Sequence, residues 1–147
     1  PNARYLIERS EFDFLDREGS AENLLPWQRA MNAAVMTDSI APVVEAGLVD
    51  LVASDHVVCP EVRLVATPGH TPGHVSILIE SHGESALITG DFIHHPCQLA
   101  HPEWSLTSDH DQALSADTRE RIFSGLAGTA TLVIGTHWPD PTAGHVE

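Results

Sequence analysis

The residues in this sequence that could do chemistry follow directly on short apolar segments. Residues 66–74 read ATPGHTPGH, which places His70 and His74 four residues apart, and VRLVAT runs into the first Pro-Gly-His. SALIT runs into Gly-Asp91, and TLVI runs into Gly-Thr-His137. Glycine at such an exit permits a tight turn and a close approach of the backbone to a site. Three predicted strands therefore each present a potential metal ligand one or two residues after a glycine.

Two imidazoles and one carboxylate converge if these three strands end at the same edge of a sheet. Neutral histidine nitrogen and carboxylate oxygen are the ligands that Zn²⁺ and similar ions take in catalytic sites, where one position stays open for water. Each residue alone is a weak indication, because a single histidine after a strand is more often packed or solvated and Gly-Asp is more often a turn or a cap. Together, His70, Asp91 and His137 predict a metal site.

The other histidines receive weaker assignments. His74 begins the next predicted strand, and we expect it to support the site by donating to the backbone or by orienting a metal ligand. His94 and His95 in DFIHHP either line the same cavity or have supporting or solvated roles. The Ser-Asp-His triplets at 54–56 and 108–110 are assigned no role. The remaining histidines of loop-like, charged segments also receive none: His56, His82, His101 and His110.

The amino-terminal third combines one predicted strand with two predicted helices. Residues 4–8 alternate like a half-buried strand, and the charged stretch 8–23 is typical of a loop. Helical patterns cover 26–36 and 39–47, where Gly47 would end the second helix. Large apolar residues on the first helix favour core packing, with the wall of a substrate pocket as the alternative: Trp27, Met31, Val35 and Met36.

The rest of the chain alternates short apolar runs with turn residues. Strands are predicted at 49–54, 62–67, 74–80, 85–90 and 131–135. A helix is predicted at 111–128, closed by Gly125 or Gly128. The strands at 62–67, 74–80 and 85–90 follow one another through tight turns and should form an antiparallel meander. With helices on both sides of this meander along the chain, the pattern predicts an α/β or α+β layered domain.

The composition narrows the classes of partner. With 147 residues, 42% of them apolar and 19% charged, the sequence is typical of one globular domain. The formal charge of −14 disfavours nucleic acid and membrane surfaces as partners, and no apolar run approaches the roughly 18 residues of a membrane span. Cys59 and Cys97 are isolated, which favours free thiols in a reducing compartment. A cytoplasmic location is therefore expected.

The sequence resembles a known family in three motifs. TPGHTPGH, LITGDFIHHP and VIGTHWPDPTAGHV, in this order and spacing, resemble those of metallo-β-lactamase fold hydrolases, especially quorum-quenching lactonases and methyl parathion hydrolase-like enzymes. The likeness is strong over residues 60–147 and loose over 1–60. It implies an αβ/βα sandwich with two divalent metal ions at one edge of the β-layers, usually zinc, with iron or manganese as alternatives. By the same resemblance, His70 would bind the first ion, Asp91 would bridge both and His137 would bind the second.

The resemblance also implies an activity. Water between the two ions would become hydroxide and attack a small-molecule ester, lactone or organophosphate, and the ions would stabilise the developing oxyanion. Asp91 would be catalytic, because it holds the ions together and helps to orient the nucleophile. Two alternatives stay open: an iron-dependent oxidoreductase of the same fold, and a chain without turnover that binds metal or merely associates.

One family motif is missing. His-x-His-x-Asp-His supplies further ligands in the family, but no His-x-His pair occurs in this sequence, which opens with PNARYLIERS and no Met. We therefore expect residues 1–147 to be a single domain that forms the carboxyl-terminal part of a longer enzyme, incomplete at its amino terminus. Such a partial site would bind metal weakly and this chain alone could be inactive. An uncovered sheet edge and apolar face would favour a homodimer.

Overall fold

The computed structural model describes residues 3–18 and 26–147, which fall into two compact units, 1–53 and 54–147. The elements of the first unit are β1 (Tyr5–Glu8), α1 (Arg9–Glu18), α2 (Pro26–Val35), a π-helical segment (Met36–Ile40), α3 (Ala41–Glu45) and β2 (Val49–Val52). Strands β1 and β2 pair in parallel, with Tyr5 opposite Val49. The predicted strands at 4–8 and 49–54 are therefore confirmed.

Helix α1 replaces the loop that the charged stretch 8–23 predicted, so that prediction was wrong as far as residue 18, and residues 19–23 lie outside the described range. The carboxylate of Glu8 accepts a hydrogen bond from the Glu11 backbone N–H at 2.9 Å, which satisfies a donor that the first helical turn leaves unpaired. Phe12 and Leu15, three residues apart, share a partly buried face, whereas Asp13 and Asp16 are exposed. The capping hydrogen bond and the spacing of the apolar residues favour a helix in spite of the high charge of this segment.

The two predicted helices of the first unit form one continuous helical run. Residues 36–40 are π-helical and join α2 directly to α3, so the predicted interruption at Thr37-Asp38 was wrong. Pro42 lies in the first turn of α3, where a missing N–H is tolerated. Gly47 follows with a φ of +67°, a left-handed conformation suited to glycine, and ends the run as expected.

The second unit holds a six-stranded sheet. Its elements are β3 (Val57–Cys59), β4 (Val62–Ala66), β5 (Val75–Ser81), β6 (Glu84–Ile88), a 3₁₀ turn (Gly90–Phe92), α4 (Cys97–Ala100), α5 (Gln112–Leu126), β7 (Leu132–Ile134) and β8 (Ala143–Gly144). The spatial order is β3-β4-β5-β6-β7-β8. Strands β4, β5 and β6 form the predicted antiparallel meander. The mixed α/β composition that the pattern predicted is thus confirmed.

The direction of the strands decides where their ends lie. Strand β7 pairs in parallel with β6, and the intervening chain with α5 makes the crossover that a parallel pair requires. Because β4 and β6 are both antiparallel to β5, the strands β4, β6 and β7 all run in the same direction. Their carboxyl ends therefore meet at one edge of the sheet.

The core of the second unit lies next to that edge. Six buried apolar residues form one cluster: Leu87, Phe92, Ile93, Phe123, Val133 and Trp138. Phe92 and Ile93 follow Asp91 directly and are 1% and 0% exposed, so the core anchors the turn that carries Asp91. Helix α5 contributes Phe123, whose ring centroid lies 5.5 Å from that of Phe92. Cys59 and Cys97 are free thiols, as expected.

None of the helices in residues 3–18 and 26–147 combines the length and the apolar character that crossing a bilayer requires.

We predict that Phe123→Ala lowers the free energy of unfolding by about 3–5 kcal/mol, because it removes burial and leaves a cavity beside Phe92. Urea unfolding followed by circular dichroism measures this change. Leu114→Ala is the control on the same helix, where the side chain is 38% exposed and the expected cost is below about 1 kcal/mol. Equal costs for the two variants would contradict the assignment of Phe123 to the core.

Candidate metal centre

The carboxyl ends of β4, β6 and β7 bring His70, Asp91 and His137 together. His70 Nε2 lies 3.7 Å from Asp91 Oδ2, and His137 Nε2 lies 3.0 Å from Asp91 Oδ1. Each oxygen of one carboxylate therefore faces a different histidine. The side chains of Asp91 and His137 are 40% and 48% exposed, whereas that of His70 is 18% exposed. The cluster is open to solvent on the side of His137 and is closed around His70.

His94 belongs to the same cluster. Potential ligand atoms of His70, Asp91 and His94 all lie within 4.8 Å of one another. The His94 ring stacks on that of His137, with centroids 4.7 Å apart, and lies 5.2 Å from that of His70. Burial lowers the pKa of His94, and the neighbouring His70 lowers it further. These effects favour the neutral imidazole, the form that binds metals. The structure therefore brings His94 beside His70, Asp91 and His137.

The donor set fits a divalent metal ion. Zinc bonds of about 2.0–2.2 Å to nitrogen and oxygen in a tetrahedral site separate two ligand atoms by roughly 3.4 Å. The separations of 3.7 Å and 3.0 Å between Asp91 and the two histidines bracket this value. Small side-chain adjustments would bring either pair onto a common ion. The donors are two imidazoles and a carboxylate, the set that zinc, iron and manganese sites use.

His74 connects two of the loops that form the cluster. Its Nδ1 lies 2.8 Å from Thr67 Oγ1 and 3.1 Å from Thr67 O, and its Nε2 accepts a hydrogen bond of 2.8 Å from the Asp91 backbone N–H. A ring that accepts at Nε2 carries its proton on Nδ1, which donates to Thr67. Burial, followed by the charge of His70, lowers the pKa of His74 to about 4. His74 therefore stays neutral near pH 7 and fixes the Asp91 turn.

Gly90 makes room for this contact. It has a φ of +61°, which glycine adopts without strain. A Cβ at this position would also lie 2.7 Å from His74 Nε2, closer than real contacts allow. The glycine that precedes Asp91 is required both by the turn and by the imidazole behind it.

A buried carboxylate completes the surroundings of His70. Asp109 Oδ1 lies 2.9 Å from His70 Nδ1, although the two residues are 39 positions apart in sequence. Burial alone would raise the pKa of Asp109, but hydrogen bonds from His70 and the Leu106 backbone, with the nearby charges of His70 and Arg119, hold it below its ordinary value. Asp109 comes from the triplet at 108–110 that was assigned no role, and nothing in its local sequence indicates a partner in the TPGH segment.

The chain is similar to known proteins both in sequence pattern and in structure. A family model described as the metallo-beta-lactamase superfamily matches residues 4–137. A search of curated proteins found no match. Among solved structures, the hydrolase AbOPH of the beta lactamase superfamily is 25% identical, with a TM-score of 0.83, and the match covers 99% of this chain and 51% of that one.

Two further structures share the fold at lower identity. AidC, a dizinc quorum-quenching lactonase, is 22% identical with a TM-score of 0.73, over 99% of this chain and 51% of that one. A probable metal-dependent hydrolase from Staphylococcus aureus is 18% identical with a TM-score of 0.73, over 97% of this chain and 47% of that one. The predicted metallo-β-lactamase-like fold is confirmed, and the chain spans about half the length of these structures.

We predict that protonation of His74 destabilises the metal-free protein in acid. The pKa is about 4 in the folded state against an ordinary value of 6.5, so the unfolded chain takes up a proton first as the pH falls. The stabilisation is complete above about pH 6.5 and is lost as the pH falls toward 4, by roughly 3 kcal/mol in all. Urea unfolding in EDTA across this range measures the loss.

His74→Gln should flatten this dependence, because the titrating group is gone. His82→Asn is the control, since His82 is an exposed turn residue with a φ of +52° that asparagine tolerates. The control should keep the wild-type slope. An unchanged slope in His74→Gln would show that other groups cause the acid sensitivity.

Proposed function

Because the chain belongs to the metallo-beta-lactamase superfamily, we propose that it forms part of a metal-dependent hydrolase in which His70, Asp91 and His137 hold two divalent metal ions. The solved structures that the chain matches include hydrolases and a dizinc lactonase. Since the chain spans about half of their length, the activity is proposed for the protein that contains it. Zinc is the first choice of metal, with iron and manganese as alternatives.

The observation that carries this proposal is the position of Asp91 between two histidines. One carboxylate oxygen faces His70 at 3.7 Å and the other faces His137 at 3.0 Å, and the two histidines come from different strand ends. A carboxylate in this position could offer one oxygen to an ion on either side. The arrangement supports His70 as a ligand on one side of Asp91 and His137 as a ligand on the other, with His94 as a further donor beside both.

The chain's own residues also prepare the site for a reaction. Asp91 carries the negative charge that would keep two cations close together, and its orientation is fixed by the hydrogen bond from its backbone N–H to His74. The ring of His94 stacks on that of His137 and so limits the space on that side. When bound, the ions would polarise a carbonyl or phosphoryl oxygen and lower the pKa of water. The exposed side of Asp91 and His137 is where a small molecule would enter.

A neutral ester is the class of substrate that we propose, either a lactone or an organophosphate triester. The formal charge of −14 disfavours the approach of strongly anionic substrates. A lactone or a triester is uncharged, and its reacting carbonyl or phosphoryl oxygen can be polarised by a metal ion. The match to a quorum-quenching lactonase makes N-acyl homoserine lactones the first compounds to test.

We predict that Asp91→Asn lowers the affinity for Zn²⁺ by more than about 100-fold, because loss of groups that only support a ligand already costs 10–100-fold. Metal content after dialysis, measured by mass spectrometry, and hydrolysis of a panel of lactones and phosphotriesters should fall together. Asp117→Asn is the control, since Asp117 is an exposed carboxylate on α5.

Unchanged metal content and unchanged hydrolysis in Asp91→Asn would contradict the proposed site. Iron that copurifies with the protein, together with oxidation instead of hydrolysis of the substrate, would favour the oxidoreductase alternative.

A further inference from the structure

We propose that Asp109, held in place by Arg119, is a positioning residue that fixes the orientation and the protonated nitrogen of His70 for metal binding. The inference rests on the proposed function, because it assigns to Asp109 a role toward a metal ligand. It concerns a carboxylate and a guanidinium that take no part in the cluster of His70, Asp91, His94 and His137 itself.

Every oxygen of Asp109 has a partner in the interior. Oδ1 lies 2.9 Å from His70 Nδ1, and Oδ2 accepts a hydrogen bond of 3.1 Å from the Leu106 backbone N–H. Arg119 Nη1 lies 3.7 Å from Oδ2, and the side chains of Asp109 and Arg119 are each only 1% exposed. A buried charge of this kind persists when it is paired and hydrogen-bonded. Asp109 is therefore held in its ionised form, and its Oδ1 is the acceptor that faces His70.

An ionised carboxylate can only accept hydrogen bonds, so the contact requires the proton of His70 on Nδ1. Nε2 then has no proton and presents a lone pair, and this is the atom that lies 3.7 Å from Asp91 Oδ2. Metal-binding histidines commonly donate their other ring N–H to a carboxylate in this way, which fixes the tautomer and the direction of the ring. The Asp109 contact thus points the metal-binding nitrogen of His70 toward Asp91.

Arg119 connects this carboxylate with the turn that carries Asp91. Its guanidinium donates to Pro102 O at 2.8 Å, to Phe92 O at 3.1 Å and to Ser105 Oγ at 2.6 Å. Phe92 directly follows Asp91, so a single buried side chain holds the Asp91 turn and faces Asp109. Arg119 thus helps to fix His70 through Asp109 and Asp91 through the neighbouring Phe92 carbonyl.

The backbone around Asp109 is bonded to the loop that carries His70. The His110 N–H donates to His70 O and the Asp111 N–H donates to Gly69 O, both at 3.0 Å. Gly69 has a φ of +133°, and a Cβ there would lie 2.5 Å from Ser115 Cα on α5. The loop therefore lies directly against the start of α5. Asp109 and His70 keep their relative positions through the main chain as well as through the side chains.

The test uses metal-free full-length protein and Zn²⁺ alone as the probe. Long-range ¹H–¹⁵N NMR at alkaline pH identifies which ring nitrogen of His70 is protonated, and a chelator competition measures the affinity for Zn²⁺. In wild type we expect the proton on Nδ1. In Asp109→Asn we expect a mixture of the two tautomers and an affinity lower by about 10- to 100-fold.

Asp111→Asn is the matched control. Asp111 lies in the same segment as Asp109 and caps α5 by accepting from the Leu114 N–H at 2.9 Å, a role that the side-chain oxygen of asparagine also fills. This variant should keep the wild-type stability, tautomer and affinity. Equal effects of the two variants would reduce Asp109 to a merely structural role and overturn the proposal.

A proton on Nε2 of His70 in wild type would also overturn the proposal, and this measurement decides the matter even if Asp109→Asn does not fold. An Asp109→Asn protein with the wild-type tautomer and affinity would contradict it as well. Failure of wild type to bind Zn²⁺ would instead contradict the proposed function, while the tautomer of His70 would still decide the role of Asp109.

Discussion

The candidate site depends on the common direction of β4, β6 and β7. Strand β5 reverses the chain between β4 and β6, and the crossover through α5 returns it to begin β7 beside β6. This topology places three carboxyl ends at the same edge of the sheet, where His70, Asp91 and His137 then lie close together. A simple hairpin between β6 and β7 would have sent His137 to the opposite edge. Helix α5 is therefore as necessary to the cluster as the ligands themselves, although it supplies none of them.

Two polar side chains, the partly buried His74 and the buried Asp109, support the cluster. His74 accepts from the Asp91 backbone N–H through Nε2, and Asp109 faces His70 Nδ1. Each of these groups would be costly to bury without a partner. Since both are hydrogen-bonded, they orient the side chains that face solvent while keeping their own positions. The apolar cluster around Phe92 adds rigidity, because the residues that follow Asp91 cannot move without disturbing the core. Packing and polar contacts therefore act on the same turn.

The parts of the site that could be predicted are those with local signals. Gly-Asp91 and Gly-Thr-His137 each follow an apolar strand, and the tight turns between β4, β5 and β6 indicated the meander. Asp109 could not be predicted, because its contact with His70 is made across 39 residues and nothing in its own segment marks it. The short strands β3 and β8 were missed because two or three residues carry no periodicity. Helix α1 was missed because its charges concealed a weakly apolar face.

X-ray absorption of the Zn²⁺-loaded full-length protein shows whether imidazole and carboxylate groups at one sheet edge bind divalent metal. We expect nitrogen and oxygen ligands at about 2.0–2.2 Å with imidazole scattering, and a second zinc ion at about 3.5–4 Å. Sulfur ligands at about 2.3 Å would place the zinc on cysteine thiolates and contradict the proposed metal centre. A spectrum of fully hydrated zinc, without imidazole, would contradict it equally.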